Sequence, residues 1–407
     1  MRCRHCDSIL EYTFIDLGFS PPSNSYLNAD DLLKPEKYFP LKVRVCTNCW
    51  LVQTEDYAEA SDLFDSNYAY FSSTSKTWLS HAKSYSLNII DRENLNSQSF
   101  VIEIASNDGY LLKNFIDKLI PCLGIEPTLS TARVAEKKNI PVLKEFFTEK
   151  IARELLLQGK SADLIIANNV YAHVPDINDF TKGLKAILKP EGLINIEFPH
   201  LLNIINFNQF DTIYHEHFSY LSIFTVNKIF KKFGLRIFDV EKIPTHGGSL
   251  RIYGCHDESS RKNSEVVEDL LREERIYGLQ DINKYKYFNV HANHIKYNLI
   301  NFLIENKKNN KKVFGYGAAA KGSTLLNYAG IKEDLLPCIF DAAESKQGKY
   351  MPGSHIEIFH PKFLASDPPD FLIIFPWNLA AEIKEQNKNL LKFGTKFVIA
   401  IPELRLI

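Results

Sequence analysis

The densest group of proton-transferring side chains in the chain is the run Tyr214-His215-Glu216-His217. It follows the apolar segment GLINIEFP, which predicts a buried strand, and α/β sheets bind ligands beyond the carboxyl ends of such strands. A histidine beside a carboxylate can serve as a general base near neutral pH. In an extended loop alternate residues point the same way. This predicts that Tyr214 and Glu216 lie on one side of the loop and that His215 and His217 lie on the other. The run therefore predicts acid–base chemistry at a sheet edge.

This run has two other interpretations. Any one of its histidines can instead be a hydrogen-bonded loop residue. A catalytic metal site is the weaker alternative, because His-Glu-His lacks the helical spacing of a zinc hydrolase. His173 follows the predicted strand ADLIIANN and should face the same crevice, so we include it in the cluster.

A second group of polar residues surrounds the loop of FVIEIASNDGYLL, which follows a buried-type strand and opens a helix. The three glycines of a dinucleotide fingerprint are absent, so a ligand without pyrophosphate fits better. An acid about 20 residues downstream, Glu126, can accept hydrogen bonds from both ribose hydroxyls. Acidic walls suit the cationic sulfonium and ammonium of S-adenosylmethionine. The predicted cofactor residues are Glu103, Ala105, Asn107, Asp108, Gly109, Glu126, Asn168 and Asn169; the alternative for Glu103 is a satisfied strand-end carboxylate.

Two Cys-x-x-Cys pairs near the N-terminus predict a zinc site. Each tight turn directs two thiolates at one point, and four thiolates close a tetrahedral coordination sphere. The predicted role is therefore structural. A redox role is the alternative, although neither pair opens a helix after a strand as a thioredoxin-type motif does. The predicted ligands are Cys3, Cys6, Cys46 and Cys49.

Size and composition place these groups in a multidomain globular protein. A chain of 407 residues, 45% hydrophobic and 24% charged, is expected to form two or three domains. A formal net charge of -1 gives no indication of a nucleic-acid partner. Neither a signal-peptide core nor a run of about 18 apolar residues is present, so we expect a cytoplasmic protein without a membrane span. The odd count of seven cysteines argues against a disulfide framework.

Strands and helices must alternate to position these residues. The apolar runs FVIEIA, CLGIEP, ADLIIANN and GLINIEFP, separated by helix-like segments, predict a parallel sheet covered on both faces. A second pattern of this kind begins at KKVFGYGAAAKG and continues through PCIFDA, FLIIFP and KFVIAIP. The prediction is an α/β protein with a small zinc module at 1–75, a central Rossmann-like methyltransferase domain at 76–257 and a C-terminal Rossmann-like domain at 258–407.

Taken together, these segments resemble a known family. The two cysteine pairs, EIASNDGYLL, NNVYAHVPD, FDTIYHEHFSYLS, HGGSLRIY, GYGAAAKG and KQGKYMPGSHI are similar, in order and over nearly the whole chain, to the sugar C-methyltransferases. Members add branch methyl groups to nucleotide-linked 4-keto deoxysugars. The resemblance implies a zinc-binding N-terminal domain, a central methyltransferase domain and a Rossmann-like C-terminal domain. Ala105 departs from the family, in which many members carry glycine.

The resemblance also implies residue roles. It makes His217 the acid–base group at the sugar, Tyr214 and Glu216 its pocket companions and His173 the second active-site histidine. Two aromatic residues of SNYAYFSS would close over the methyl-transfer site. The substrate-binding residues implied or expected are Tyr68, Tyr70, His215, His246 and Lys321.

Such a reaction needs a base because carbon 3 of a sugar is not nucleophilic by itself. A ketone at carbon 4 acidifies the carbon 3 proton, and its removal gives an enolate. We expect His217, held by Glu216, to remove this proton, and Tyr214 or His173 to stabilise the oxyanion. The loop GYGAAAKGSTLL can cradle a phosphate of the nucleotide at a helix N-terminus, with Lys321 nearby. Its alternative role is packing alone.

Three rival functions stay open at this point. The first is an O- or N-methyltransferase on the same kind of sugar. The second is a zinc-containing adaptor that only binds nucleotide sugars, against which the dense YHEH cluster argues. The third is a nicotinamide-dependent oxidoreductase using GYGAAAKG, although that loop lacks the fingerprint spacing and the downstream acid. The nucleotide, the sugar and the oligomeric state stay open as well.

Overall fold

The computed structural model describes residues 1–57, 72–74 and 76–407, and three β-sheets organise this part of the chain. In chain order the strands are β1 (Tyr12–Ser20), β2 (Phe39–Val45), β3 (Val52–Thr54), β4 (Val101–Ile104), β5 (Cys122–Ile125), β6 (Val142–Leu143), β7 (Ala162–Ile166), β8 (Leu188–Pro199), β9 (Ser219–Tyr220), β10 (Leu235–Ile243), β11 (Ser249–His256), β12 (Val313–Tyr316), β13 (Ile339–Phe340), β14 (Ile358–Phe359), β15 (Phe371–Ile374), β16 (Lys396–Ile399) and β17 (Arg405–Leu406). The α-helices are α1 (Lys76–Arg92), α2 (Lys113–Ile116), α3 (Leu129–Lys137), α4 (Glu149–Leu157), α5 (Ile177–Ile187), α6 (Leu201–Asn206), α7 (Ile223–Lys232), α8 (Glu265–Tyr277), α9 (Phe288–Lys308), α10 (Ala320–Ala329) and α11 (Ala380–Gln386). Within the described residues, none of these helices is long and apolar enough to cross a membrane.

The N-terminal sheet is antiparallel and has the order β1-β2-β3-β9. Its last strand comes from the segment that directly follows the YHEH run. The N–H of Thr54 donates to the carbonyl of Phe218 at 3.1 Å, and β3 pairs with Ser219 and Tyr220. The cysteine-bearing module is therefore joined directly to the chain that carries the acid–base cluster.

The central sheet has the order β10-β11-β8-β7-β4-β5-β6. Strands β4 to β8 run parallel, whereas β11 is antiparallel to both β8 and β10. β4 and β5 are buried along their whole length, because helices cover both faces of the sheet, and this explains their unbroken apolar sequences. The parallel strands bring their carboxyl ends to one edge, as the Rossmann-like prediction requires. The predicted helix YLLKNFIDKL is shorter than expected, with only α2 as regular α-helix.

The C-terminal sheet has the order β14-β13-β12-β15-β16-β17 and is parallel except for β17. This arrangement confirms the second Rossmann-like pattern. The helix α9 packs against β1 of the N-terminal sheet, where Phe288 stacks on Phe14 with ring centroids 4.3 Å apart. One apolar cluster therefore runs from β1 and β2 into the C-terminal domain. The exact limits of the three domains stay a prediction.

Candidate active site

The four N-terminal cysteines converge in the described structure. Their Sγ atoms all lie within 4.8 Å of one another, and both Cys3–Cys49 and Cys6–Cys46 are 3.5 Å apart. Neighbouring thiols lower the pKa of Cys3, and the same crowding and burial raise the pKa of Cys46 to about 11. Four thiolates so close together repel one another unless a cation neutralises them. The donor set and its spacing fit one tetrahedral zinc with a closed coordination sphere.

The predicted cofactor loop joins β4 to the helical turn before α2, at the carboxyl edge of the central sheet. Ala105 and Asn107 adopt left-handed backbone conformations, with φ of 56° and 50°, which are strained for residues with a side chain. Gly109 has φ of 74°, and a Cβ there would lie 2.3 Å from Ile140 Cδ1. Gly109 therefore serves the close packing of this loop against its neighbours, while Ala105 and Asn107 hold a backbone shape typical of a ligand-binding turn.

Polar atoms without a protein partner crowd this edge of the sheet. Among the described residues these buried atoms have no hydrogen-bond partner: Glu103 Oε2, Ser106 Oγ, Asp108 Oδ1, Asn168 Oδ1, and Asn169 Oδ1 and Nδ2. Burial, together with Glu126 and Asp108, raises the pKa of Glu103 well above its usual value. Buried polar atoms are rarely left unsatisfied, so this set, rich in acceptors and in carboxylates, indicates a polar ligand with hydrogen-bond donors and positive charge. Such a set fits S-adenosylmethionine; Ser106 was not predicted from the sequence.

Glu126 follows β5 and faces the same loop. Its Oε2 accepts the N–H of Asn107 and its Oε1 accepts the N–H of Thr128, both at 2.9 Å. Burial raises its pKa. Each carboxylate oxygen has a second lone pair, so the ribose role predicted for Glu126 is compatible with its second role of bracing the loop.

The YHEH run is a turn and not an extended loop. The N–H of His217 donates to the carbonyl of Tyr214 at 3.0 Å, which closes the turn. The rings of Tyr214 and His217 lie 4.0 Å apart, whereas the Nε2 of His215 lies 3.3 Å from the carbonyl of Phe39. The predicted alternation was therefore wrong, because the turn brings Tyr214 and His217 to one side and directs His215 to the N-terminal module.

His217 is held by the main chain. Its Nδ1 lies 2.7 Å from the carbonyl oxygen of Thr212, which can only accept, so Nδ1 carries the proton. The ring of His173 lies 4.5 Å away in an edge-to-face contact. Burial lowers the pKa of His217 well below its usual value, and the neighbouring His173 adds to this, while burial lowers the pKa of His173 to about 4. Both imidazoles are neutral at pH 7, and Nε2 of His217 has a lone pair that can accept a proton.

Glu216 does not hold His217, contrary to the sequence-based expectation. Its Oε1 accepts a hydrogen bond from Nδ2 of Asn24 at 3.0 Å, and its buried Oε2 has no partner among the described residues. Burial raises the pKa of Glu216 to about 6. The turn accounts for this arrangement, because neighbouring residues of a turn point in different directions. Glu216 is thus a second titratable group next to His217, with its own partners.

His246 belongs to a second group of side chains, whose other members sequence reasoning missed. The ring of Trp78 stacks on that of His81 at 4.9 Å and lies 5.3 Å from that of His246. His81 Nε2 is 3.2 Å from Glu197 Oε2, and Glu197 Oε1 accepts two hydrogen bonds from Arg251 at 2.7 and 2.6 Å. Although burial opposes it, contact with His81 and Arg251 keeps the pKa of Glu197 below its usual value. A charged residue inside the apolar strand GLINIEFP was the available signal.

The C-terminal domain supplies Lys321, in the first turn of α10. Its Nζ donates to Oδ1 of Asn378 at 3.2 Å and lies 4.1 Å from the ring centroid of Trp377. Burial lowers the pKa of Lys321. The loop before α10 does have a downstream acid, in contrast to the sequence-based expectation: Asp341 follows β13 and accepts the N–H of Ala318 at 2.7 Å. It was missed because the acid lies after a strand of only two residues.

The described structure therefore brings most predicted groups together. Tyr214, His173 and His217 are in ring contact, and Lys321 and His246 both lower the pKa of His217 through their charge. His215 is turned away from them. Tyr68 and Tyr70 lie outside the described residues, so their predicted role stays a prediction.

Comparisons with known proteins agree with this architecture. Family models match a zinc-binding domain at residues 3–64, a methyltransferase domain at 80–240 and a C-methyltransferase C-terminal domain at 244–402. The C-methyltransferase NovU of Streptomyces niveus is 32% identical over 405 residues, which are 100% of this chain and 96% of that protein.

Solved structures resemble only part of the chain. The PH0226 protein of Pyrococcus horikoshii OT3 is 15% identical and has a TM-score of 0.38, over 46% of this chain and 95% of that one. The magnesium protoporphyrin IX methyltransferase of Synechocystis PCC 6803 with bound SAM is 13% identical, with a TM-score of 0.34 over 44% and 79%. The family models and the full-length relative confirm the predicted family and cofactors: the chain belongs to the C-methyltransferases and is an S-adenosylmethionine-dependent, zinc-binding enzyme.

Proposed function

We propose that the protein methylates carbon 3 of a nucleotide-linked 4-keto deoxysugar. The observation that carries this proposal is the state of His217. Its Nδ1 proton is committed to the Thr212 carbonyl, and the ring is buried and neutral, so Nε2 is available as a proton acceptor. A methyltransferase acting on carbon needs such a base, whereas one acting on an amine does not. S-adenosylmethionine supplies, when bound, an electrophilic methyl group that a carbon nucleophile can accept.

The residues around His217 suit the formation of an enolate. His217 would remove the carbon 3 proton, and the electron pair left on carbon 3 would be delocalised onto the oxygen at carbon 4. The hydroxyl of Tyr214, whose ring lies 4.0 Å from that of His217, is a suitable donor to that developing oxyanion. His173 and Tyr220 enclose the ring of His217 and reduce the access of water, which would reprotonate the carbon.

Glu216 would take up the proton after His217 has removed it from carbon 3. Its pKa of about 6 lies close to neutral pH, and its unpartnered Oε2 can accept or donate a proton through a water molecule. No hydrogen bond joins Glu216 to His217 in the described part of the chain, so the proton would pass from His217 to Glu216 through a water molecule. His217 is the proposed base, and Glu216 is the proposed group that exchanges protons with its surroundings.

The nucleotide would bind at the C-terminal domain. The helix α10 begins after the loop GYGAAAKG, and its N-terminus favours an anion such as a phosphate. The N–H of Ala318 already donates to Asp341 and that of Ala319 donates to the carbonyl of Gly317, so a phosphate would use the amides of the first turn of α10. Bound there, the nucleotide would contribute binding energy that orients the sugar.

The experiment is an incubation of the full-length protein with S-adenosylmethionine and a panel of nucleotide-linked 4-keto deoxysugars. Mass spectrometry would find the methylated product, and NMR would locate the methyl group. The expected product carries its new methyl on carbon 3. A methyl on oxygen or nitrogen, or on another carbon, would contradict the proposal. Exchange of the carbon 3 proton with deuterated solvent, measured without the methyl donor, would test the enolate separately.

A further inference from the structure

A buried carboxylate between the central and C-terminal domains has an unused oxygen. Asp211, in a short helical turn at Phe210–Thr212, is 1% exposed. Its Oδ2 accepts the indole N–H of Trp377 at 2.8 Å. Its Oδ1 is also buried, and no group in the described part of the chain donates to it. A carboxylate oxygen in such surroundings is normally satisfied, so this one indicates a donor that comes from a ligand.

Trp377 holds this carboxylate in place. Besides donating to Asp211, its ring packs against the turn that follows His246: a Cβ on Gly247 would lie 2.2 Å from Cη2 of Trp377. The same ring lies beneath the ammonium of Lys321, 4.1 Å from the centroid. A single indole therefore fixes the acid and the lysine relative to His246. We call Asp211, Lys321 and Trp377 the Asp211 site.

The Asp211 site is next to the proposed base. Thr212, the residue after Asp211, is the one whose carbonyl holds Nδ1 of His217. The hydroxyl of Thr324 on α10 donates to the carbonyl of Ile213 at 2.8 Å, so the C-terminal domain also anchors this segment. A group that donates to Oδ1 of Asp211 would therefore belong to the substrate that His217 deprotonates. It would not belong to a ligand bound at a remote surface.

The charges at the site select the kind of donor. A carboxylate can accept from an ammonium or from a hydroxyl. Lys321 interacts electrostatically with Asp211, yet no ion pair within 4 Å joins them among the described residues. A second cation beside Lys321 would be repelled by it, whereas a hydroxyl can donate to the carboxylate and accept from the lysine. The arrangement therefore favours a neutral hydroxyl over an amino group.

We propose that the Asp211 site binds one hydroxyl group of the sugar and makes the enzyme select substrates that carry it. This inference rests on the proposed function, since it concerns the same substrate. Asp211 would accept the hydroxyl proton through Oδ1, and Lys321 would donate to the hydroxyl oxygen. Trp377 is a positioning residue, because it contacts the carboxylate and the lysine without needing to contact the sugar.

The test compares nucleotide-linked 4-keto sugars that each lack one ring hydroxyl, in wild type and in variants. In wild type, one deoxy analogue should lose about 10- to 150-fold in kcat/KM, the ratio that corresponds to a hydrogen bond to a charged group. In Asp211→Ala only the Lys321 contact remains, so the ratio between the parent and this analogue should fall to about a third of the wild-type ratio or less. Asp211→Asn keeps the volume and a neutral hydrogen bond, so its ratio should lie between the two. Trp377→Phe keeps the ring but not its N–H and should reduce the ratio as well.

The ratio within one variant separates recognition from folding. If Asp211 were only structural, Asp211→Ala would slow the parent and every analogue equally, the wild-type ratio would persist, and the proposal would be overturned. An amino analogue accepted as well as the hydroxyl substrate would overturn it too. Failure of the proposed function is different: wild type would then methylate none of the keto sugars, and calorimetry with S-adenosylhomocysteine present would detect no binding of the parent.

Discussion

His217 and Thr212 are linked by a hydrogen bond of 2.7 Å from the imidazole Nδ1 to the main-chain carbonyl oxygen. The acceptor belongs to a segment that α10 anchors from the C-terminal domain through Thr324. A main-chain partner fixes the tautomer without adding charge, which a carboxylate would do. The imidazole therefore stays neutral, and its basic nitrogen is defined by the fold.

Replacement of this imidazole should abolish catalysis and spare binding. In His217→Asn the general base is lost, and we expect kcat to fall by about 100- to 10,000-fold. Binding of S-adenosylmethionine should be unchanged, as measured by calorimetry. Exchange of the substrate carbon 3 proton with deuterated solvent should fall together with kcat.

The matched control is His215→Asn, since His215 contacts the carbonyl of Phe39 and not the His217 cluster. This variant should lose far less activity than His217→Asn. If His217→Asn still exchanged the carbon 3 proton at the wild-type rate, His217 would not be the base. Tyr214 and His173 would then be the next candidates.

Glu216 should make the folded state sensitive to pH. Burial raises its pKa to about 6 in the folded protein, above the usual value of about 4.5 in an unfolded chain. Folding is thus favoured by protonated Glu216, and this contribution is lost as the pH rises from about 4.5 through 6. The uncharged variant Glu216→Gln escapes the loss. The free energy of unfolding of Glu216→Gln minus that of wild type should therefore increase by about 2 kcal/mol between pH 4.5 and 7.5.

Denaturant titrations at several pH values would measure this difference. Burial also raises the pKa of Asp211 to about 6. Since Asp211 is present in both proteins, its contribution to the pH dependence cancels in the difference. Glu136, an exposed carboxylate paired with Lys144, offers a control: Glu136→Gln should show no such trend. A difference between Glu216→Gln and wild type that stays constant with pH would contradict the burial of an ionisable Glu216.

Metal removal should unfold the N-terminal module. The four thiolates lie within 4.8 Å of one another, and zinc binding to such a set contributes directly to folding. We expect one zinc per chain by elemental analysis, and Cys46→Ser should be poorly soluble. Cys338→Ser, outside the cluster, should keep both zinc and solubility. Protein purified without chelator and free of zinc would contradict a structural metal.

Glu126 should contribute to cofactor binding and to the shape of its loop. Glu126→Ala removes the acceptor for the N–H groups of Asn107 and Thr128 as well as the carboxylate expected at the ribose. A charged hydrogen bond is worth about 1.5–3 kcal/mol, so the affinity for S-adenosylmethionine should fall by about 10- to 150-fold. Calorimetry measures this, with the exposed Glu136→Ala as control. Unchanged affinity would contradict the assignment.

The sheets and the position of the site could be predicted from the sequence because local patterns determine them. Unbroken apolar runs such as β4 and β5 indicate buried parallel strands, and the carboxyl ends of parallel strands share one edge. The polar residues that follow β4 and β7 were therefore placed correctly at that edge. The cysteine spacing was sufficient to predict the zinc site because it is also a local pattern: each pair lies in one tight turn.

The details of the cluster depend on contacts that local patterns do not contain. The turn that pairs Tyr214 with His217 is closed by one main-chain hydrogen bond, and no glycine or proline in the run announces it. Trp377 reaches Asp211 across 166 positions of sequence, from a different domain. Asn24 reaches Glu216 from the N-terminal module. Such partners follow from the packing of domains, which the alternation of strands and helices leaves open.

The buried pair of Glu197 and Arg251 should be strongly coupled in stability. Two hydrogen bonds of 2.7 and 2.6 Å join them, and both side chains are almost fully buried. Removing one partner leaves an unpaired buried charge, so Arg251→Met should lower the free energy of unfolding by about 3–5 kcal/mol. The double variant Glu197→Gln/Arg251→Met has neither charge and should recover part of this loss. Denaturant titrations of both single variants and the double variant measure the coupling. If the double variant lost as much free energy of unfolding as the two single variants together, the coupling would be contradicted.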